Sequence, residues 1–148
     1  MDTAKYVARV VSLRAAGPSA SAPDESDLLL AGPGYRIVTL EVSQGVRTGD
    51  ASLRVDAVSD FHALKNSIAL ELNELWGEQP PWGMQGLRLR IDRGEDIPQP
   101  WFTAAVLTDV LDVWRLDGTG GWIALGVADR DTTDEVSIVV VVTDRDPV

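Results

Sequence analysis

The chain has 148 residues, with 13 Lys and Arg against 23 Asp and Glu for a formal net charge of −10, 45% hydrophobic content and no cysteine. A chain of this length can fold without a metal or a disulfide, and the missing thiols exclude cysteine-bound zinc, iron–sulfur clusters and disulfide frameworks. The acidic balance argues against nucleic acid and anionic membrane as partners, no run reaches the ~18 apolar residues of a membrane span, and the N-terminus lacks a signal peptide's basic start, so one cytoplasmic domain over 1–148 is expected.

From Ala4 to Leu13 the apolar residues Val7, Val11 and Leu13 alternate with Ala8, Val10 and Ser12, which reads as a strand covered on both faces. Residues 15–34 carry three glycines, three prolines and several serines, a composition for a flexible loop in which Pro23 to Leu30 can add a turn or two of helix. Tyr35 to Val42 and Ala51 to Ala57 both alternate, and with Gly45 and Gly49 between them they read as a hairpin. The period then changes. Phe61, Leu64, Ile68, Leu72 and Leu75 fall three and four apart, the stripe of an amphipathic helix capped by Ser59 or Asp60 and stopped by Gly77.

After the rigid turn Pro80-Pro81-Trp82-Gly83, the alternation of Leu87, Leu89 and Ile91 with Arg88, Arg90 and Asp92 predicts a fourth strand. Pro98-Gln99-Pro100 opens a second helix, whose apolar side is Phe102, Val106, Leu107, Val110, Val113 and Trp114. Asp117 to Gly121 stops it. Trp122–Ala128 and Val136–Thr143 close the chain as paired strands, and the unbroken Ile138-Val139-Val140-Val141-Val142 suits a central position covered on both sides. The expected fold is therefore α+β: a mainly antiparallel sheet of about six strands with two helices on one face, in the order βββαβαββ, an order that also fits a ferredoxin-like core with N-terminal additions.

The strings that resemble chemistry fail on context. Asp129-Arg130-Asp131-Thr132-Thr133 has two carboxylates that could act as nucleophile and acid, yet only fifteen residues follow it, and it reads as an acidic hairpin tip. His62 is the only histidine; Ser59 and Asp60 beside it at one helix start cannot take the mutual geometry of a catalytic triad, and every other ligand of a metal site would have to be oxygen. The glycines of 118–121 follow a helix where a phosphate loop would precede one. No catalytic residue, metal or cofactor is expected.

Five tryptophans remain to be explained. Trp76, Trp82 and Trp101 flank the proline-rich turns, where they either lid the core or line a groove for a sugar, a peptide or another chain. The last 32 residues hold seven of the 23 acids and two of the 13 basic residues, so Asp144 and Asp146 join these tryptophans as a candidate binding surface. Arg54, Arg88 and Arg90 form a second candidate, on an open sheet face. The expected function is a non-enzymatic protein-binding module (adaptor, regulator, or immunity- or antitoxin-like protein) whose acidic surface steers a basic partner, with self-association as a further option. The alternative is a small-molecule binder or small enzyme using the tryptophan groove. Arginine outnumbering lysine eleven to two suggests a GC-rich bacterial genome.

Overall fold

The computed structural model describes residues 3–18, 27–116 and 120–148. It is α+β, with a six-stranded sheet in which every pair is antiparallel. In chain order the elements are α1 (Thr3–Ala16), β1 (Leu28–Gly32), β2 (Tyr35–Val42), α2 (Ala51–Trp76), β3 (Trp82–Gly83), α3 (Gln85–Asp92), α4 (Trp101–Leu107), β4 (Thr108–Arg115), β5 (Trp122–Ala128) and β6 (Ser137–Thr143). The sheet order is β1-β2-β6-β5-β4-β3.

β6 shows why the sheet needs two covers. Ile138, Val140 and Val142 pack with Tyr6, Val10 and Leu13 of α1 and with Leu64, Ile68 and Leu72 of α2. Val139 and Val141 point the other way, into a core with Met84, Leu87, Trp101, Ala104 and Ala105 from the α3–α4 side. The unbroken apolar run predicted this. The helices, however, are divided between the two faces rather than gathered on one, and there are four among the described residues instead of two.

Several expected strands are helices. In α1 the buried residues are Tyr6, Val10 and Leu13, four and three apart, so the segment read as a strand follows a helical stripe. Gly17, at φ +83°, ends it by donating its N–H to the Leu13 carbonyl. Ala51 to Ala57 is the first part of α2, because Asp50 caps the helix by accepting from the N–H groups of Ser52 and Leu53. The cap thus stands nine residues ahead of Ser59, and no breaker intervenes before Gly77, whose N–H bonds Asn73 as expected of a helix stop. Leu53 and Val55 are exposed there, so their alternation records no buried sheet face.

Arg88 and Arg90 lie on α3, also a helix rather than a strand, with Leu87 buried and Leu89 exposed. The helix that begins after Pro100 stops at Leu107, and Val110, Val113 and Trp114 belong to β4. Thr108 marks the switch: its backbone is extended and its hydroxyl donates to the Ala104 carbonyl, closing the helix end. Within the expected 15–34 loop, Leu28–Gly32 is an edge strand joined to β2 through Pro33-Gly34, with Gly34 at φ +77°. The expected helical turn over Pro23–Leu30 is thus replaced by strand from Leu28 on, while its earlier residues, like most of the 117–121 stop, lie outside the described residues.

The topology also departs from a ferredoxin-like core. β4, β5 and β6 form a meander, and α2 carries the chain from β2 to the far edge strand β3. Among the described residues only this one helical crossover links separated strands, where a ferredoxin-like core has two.

Candidate functional site

The end of the sheet where β5 passes into β6 concentrates polar contacts. Arg54, in the first turn of α2, reaches the main-chain carbonyls of Asp129 (2.7 Å), Asp134 (2.9 Å) and Asp131 (3.0 Å). About two turns further on, His62 Nε2 lies 2.8 Å from Asp129 Oδ2, and about three turns on, Lys65 Nζ donates to Asp112 Oδ2 at 2.9 Å. Below the same loop, Arg88 Nη2 and Arg130 Nη1 both donate to Asp109 Oδ1 at 3.0 Å. Residues Asp131 to Asp134 are exposed, so the expected acidic tip is a tip, clamped from beneath by Arg54.

Glu135 holds the neighbouring loop. Its carboxylate accepts from the N–H groups of Val46 and Arg47 and from the Ser43 hydroxyl. The Arg47 amide, then the Ser43 hydroxyl, keep the carboxyl below its ordinary pKa, because each favours the charged form. Asp131 is likewise lowered, mainly by the Thr133 hydroxyl and amide.

The tryptophans do not form one groove. Trp76 stands edge-on to Trp114 with ring centres 5.7 Å apart, and the Arg14 guanidinium sits 4.4 Å above it, all on the α1–α2 side of the sheet. Trp82 and Trp101 meet edge-on at 5.1 Å on the opposite side. Trp101 is fully buried, so it is a core residue, and its indole N–H is satisfied by the Asp146 carbonyl. The Asp146 carboxylate accepts from Trp122. A shallow hollow of about 270 Å³ between Pro80, Trp82, Val113, Trp122 and Pro147 is what remains of the expected groove. Asp144 is exposed beside the Gly34 turn, to which its amide is bonded.

The arginine candidates fare differently. Both sheet faces are covered, so among the described residues no arginine-bearing sheet face is open. Arg54 and Arg88 are occupied with carbonyls, and Arg90 is paired with Glu95, whose carboxyl is lowered by that hydrogen bond. Arg145 bonds the Gln99 carbonyl and lies over Tyr35, and Arg115 lies over Trp122. Arg36 is buried under α1, and that burial, with the Arg9 charge second, lowers its pKa.

Most cations therefore serve the interior and the loop ends, whereas the charged side chains on one face of α2 are all carboxylates. Asp56, Asp60, Glu71, Glu74 and, just past the helix, Glu78 are exposed, and among the described residues none has an ion pair. The four on the helix, at spacings of 4, 11 and 3 residues, fall close to whole turns, within an arc of about 60° and along roughly 27 Å from Asp56 to Glu74, and Glu78 follows the helix stop at Gly77. Exposed Leu70 and Leu75 flank the stripe. The surfaces expected from the tryptophans and the C-terminal acids do not include this stripe. Its signal was nonetheless present, as acids at helical spacing away from Phe61, Leu64, Ile68 and Leu72.

Among the described residues no three His, Asp or Glu side chains are grouped to hold a metal ion, and no helix is long and apolar enough to cross a membrane. No protein-family model, curated protein or solved structure matches this chain.

Proposed function

We propose that this chain is a non-enzymatic protein-binding module, acting as an adaptor, a regulator or an immunity- or antitoxin-like protein, and that it docks a basic partner along the outer face of α2. The observation that carries the reading is the stripe Asp56, Asp60, Glu71 and Glu74, with Glu78 just past the helix, which has no counter-ions among the described residues, on a molecule most of whose arginines make side-chain hydrogen bonds within the chain. Unpaired carboxylates in a row attract a basic surface at long range and raise the rate of encounter. Leu70 and Leu75 beside them supply apolar area that such a partner would bury on contact. The rival reading, a small-molecule binder or small enzyme in a tryptophan groove, has less support, because Trp76 and Trp82 pack on opposite sides of the sheet.

The test compares the native chain with a Glu71→Lys/Glu74→Lys variant as bait in lysate of the native host, followed by surface-plasmon kinetics on any protein retained by the native chain alone. The expected result is a basic protein whose association slows in the variant at low salt, with the difference fading at high salt as the charges are screened. Identical retained sets for the two baits would overturn the reading.

A further inference from the structure

On the far side of the molecule from the acidic stripe's partner face, three segments converge on a cleft of about 400 Å³: Gln85, Arg88, Leu89, Ile91 and Asp92 of α3, Val106 at the end of α4, and Arg130 from the β5–β6 loop. On α3, positions 85, 88, 89 and 92 share one helical face, since they repeat at intervals of three, four and seven. Leu89 and Val106 are exposed although apolar.

The polar groups of this cleft are unequally used. Arg88 is the more engaged, donating from Nη1 to the Ala105 and Thr108 carbonyls and from Nη2 to Asp109. Arg130 makes one hydrogen bond, from Nη1 to Asp109 Oδ1. Its Nε and Nη2 have no partner among the described residues, and neither does the Gln85 amide. The Nε–Nη2 edge of a guanidinium is a planar fork that fits the two oxygens of a carboxylate. Asp109 already shows that an oxyanion is accepted where the two arginines converge.

We infer that this cleft binds a small organic monocarboxylate, its carboxylate on the free edge of Arg130 and its apolar body against Leu89 and Val106. The charge balance selects the monoanion. Asp92 and Asp109 offset Arg88 and Arg130, so the cleft has no net positive field to hold a phosphate dianion, and recognition rests on short-range geometry. The volume is within the range of small-ligand sites. This inference is independent of the α2 docking reading, since it uses none of the same residues.

The probe is sodium hexanoate, titrated into the full chain at constant ionic strength while the methyl signals of Leu89 and Val106 and the Nε signal of Arg130 are followed by NMR. Inorganic phosphate and hexanol serve as comparisons. Saturable shifts at all three residues are expected with hexanoate, with binding weaker by at least about tenfold in Arg130→Gln and not recovered in Arg130→Lys, because an ammonium lacks the fork. Asp109→Asn, which frees the Arg130 guanidinium from its internal carboxylate, should tighten binding. The inference is overturned if hexanoate causes no saturable shift, if Arg130→Gln binds it as well as the native chain, or if phosphate or hexanol binds equally tightly.

Discussion

Arg54 Nη2 donates to the Asp129 carbonyl at 2.7 Å, joining the start of α2 to the end of β5 across 75 residues of sequence. The same guanidinium holds the carbonyls of Asp131 and Asp134, so one side chain replaces the interstrand bonds that the connection cannot make for itself. Replacing Arg54 by Ala should cost about 1–2 kcal/mol, below the full value for several charged hydrogen bonds because the site is partly exposed. Urea unfolding measures the loss, and hydrogen exchange should show faster exchange confined to the 129–135 segment. Arg54→Lys should recover only part of the loss, since an ammonium cannot span three carbonyls in the same way.

Glu135 makes stability depend on acid. Its carboxyl is lowered in the folded chain by the Arg47 amide and the Ser43 hydroxyl, so its contribution is fully present above the unfolded glutamate pKa of about 4.3 and is lost as pH falls through the lower folded value. Asp131 and the helix-capping Asp50, both lowered by hydrogen bonds, act in the same sense. Urea midpoints should fall as pH drops from neutral into this window. Glu135→Gln should flatten that slope without altering it above the window, and an unchanged slope would count against the assignment.

Lys65 and Asp112 form a pair with the lysine almost wholly buried, its side chain only 8% exposed. Removing one member strands the other, so Asp112→Ala should destabilise by about 3–5 kcal/mol. The double change Lys65→Met/Asp112→Leu should be much closer to native, because apolar groups of similar size leave no charge behind. A double-mutant cycle on thermal or urea unfolding decides between this and an additive pair.

Val140 is fully buried at the middle of the sheet, between β2 and β5. Val140→Asp should abolish cooperative folding, since the carboxylate would enter the α1–α2 core with no partner. A soluble variant with a sharp melting transition would mean that this strand tolerates water, contrary to its place in the order.

The sequence alone determined the closing hairpin, the central strand and the middle of α2. Five apolar residues in a row from Ile138 have no polar face to offer solvent, and Phe61, Leu64, Ile68 and Leu72 fit one stripe of a helix and no face of a strand. In both cases burial and period agree, so a local reading suffices. Leu53-Arg54-Val55 and Leu87-Arg88-Leu89 also alternate, yet they lie on helices with Leu53, Val55 and Leu89 exposed. Alternation identifies a strand only where one face is buried, and burial is a property of the folded chain.

Tertiary structure alone decided the rest. It placed β2 beside β6, separated Trp76 from Trp82 by the thickness of the sheet, and gave Arg54, Arg88 and Arg145 carbonyl partners from distant segments. Composition counts those arginines as surface charge. The fold commits them to hydrogen bonds that close helix and loop ends, and among the described residues the carboxylates of α2 have no counter-ions. The reason is physical: an arginine's partner is chosen by distance in space, and strands nearly a hundred residues apart become neighbours only when their apolar faces are buried together.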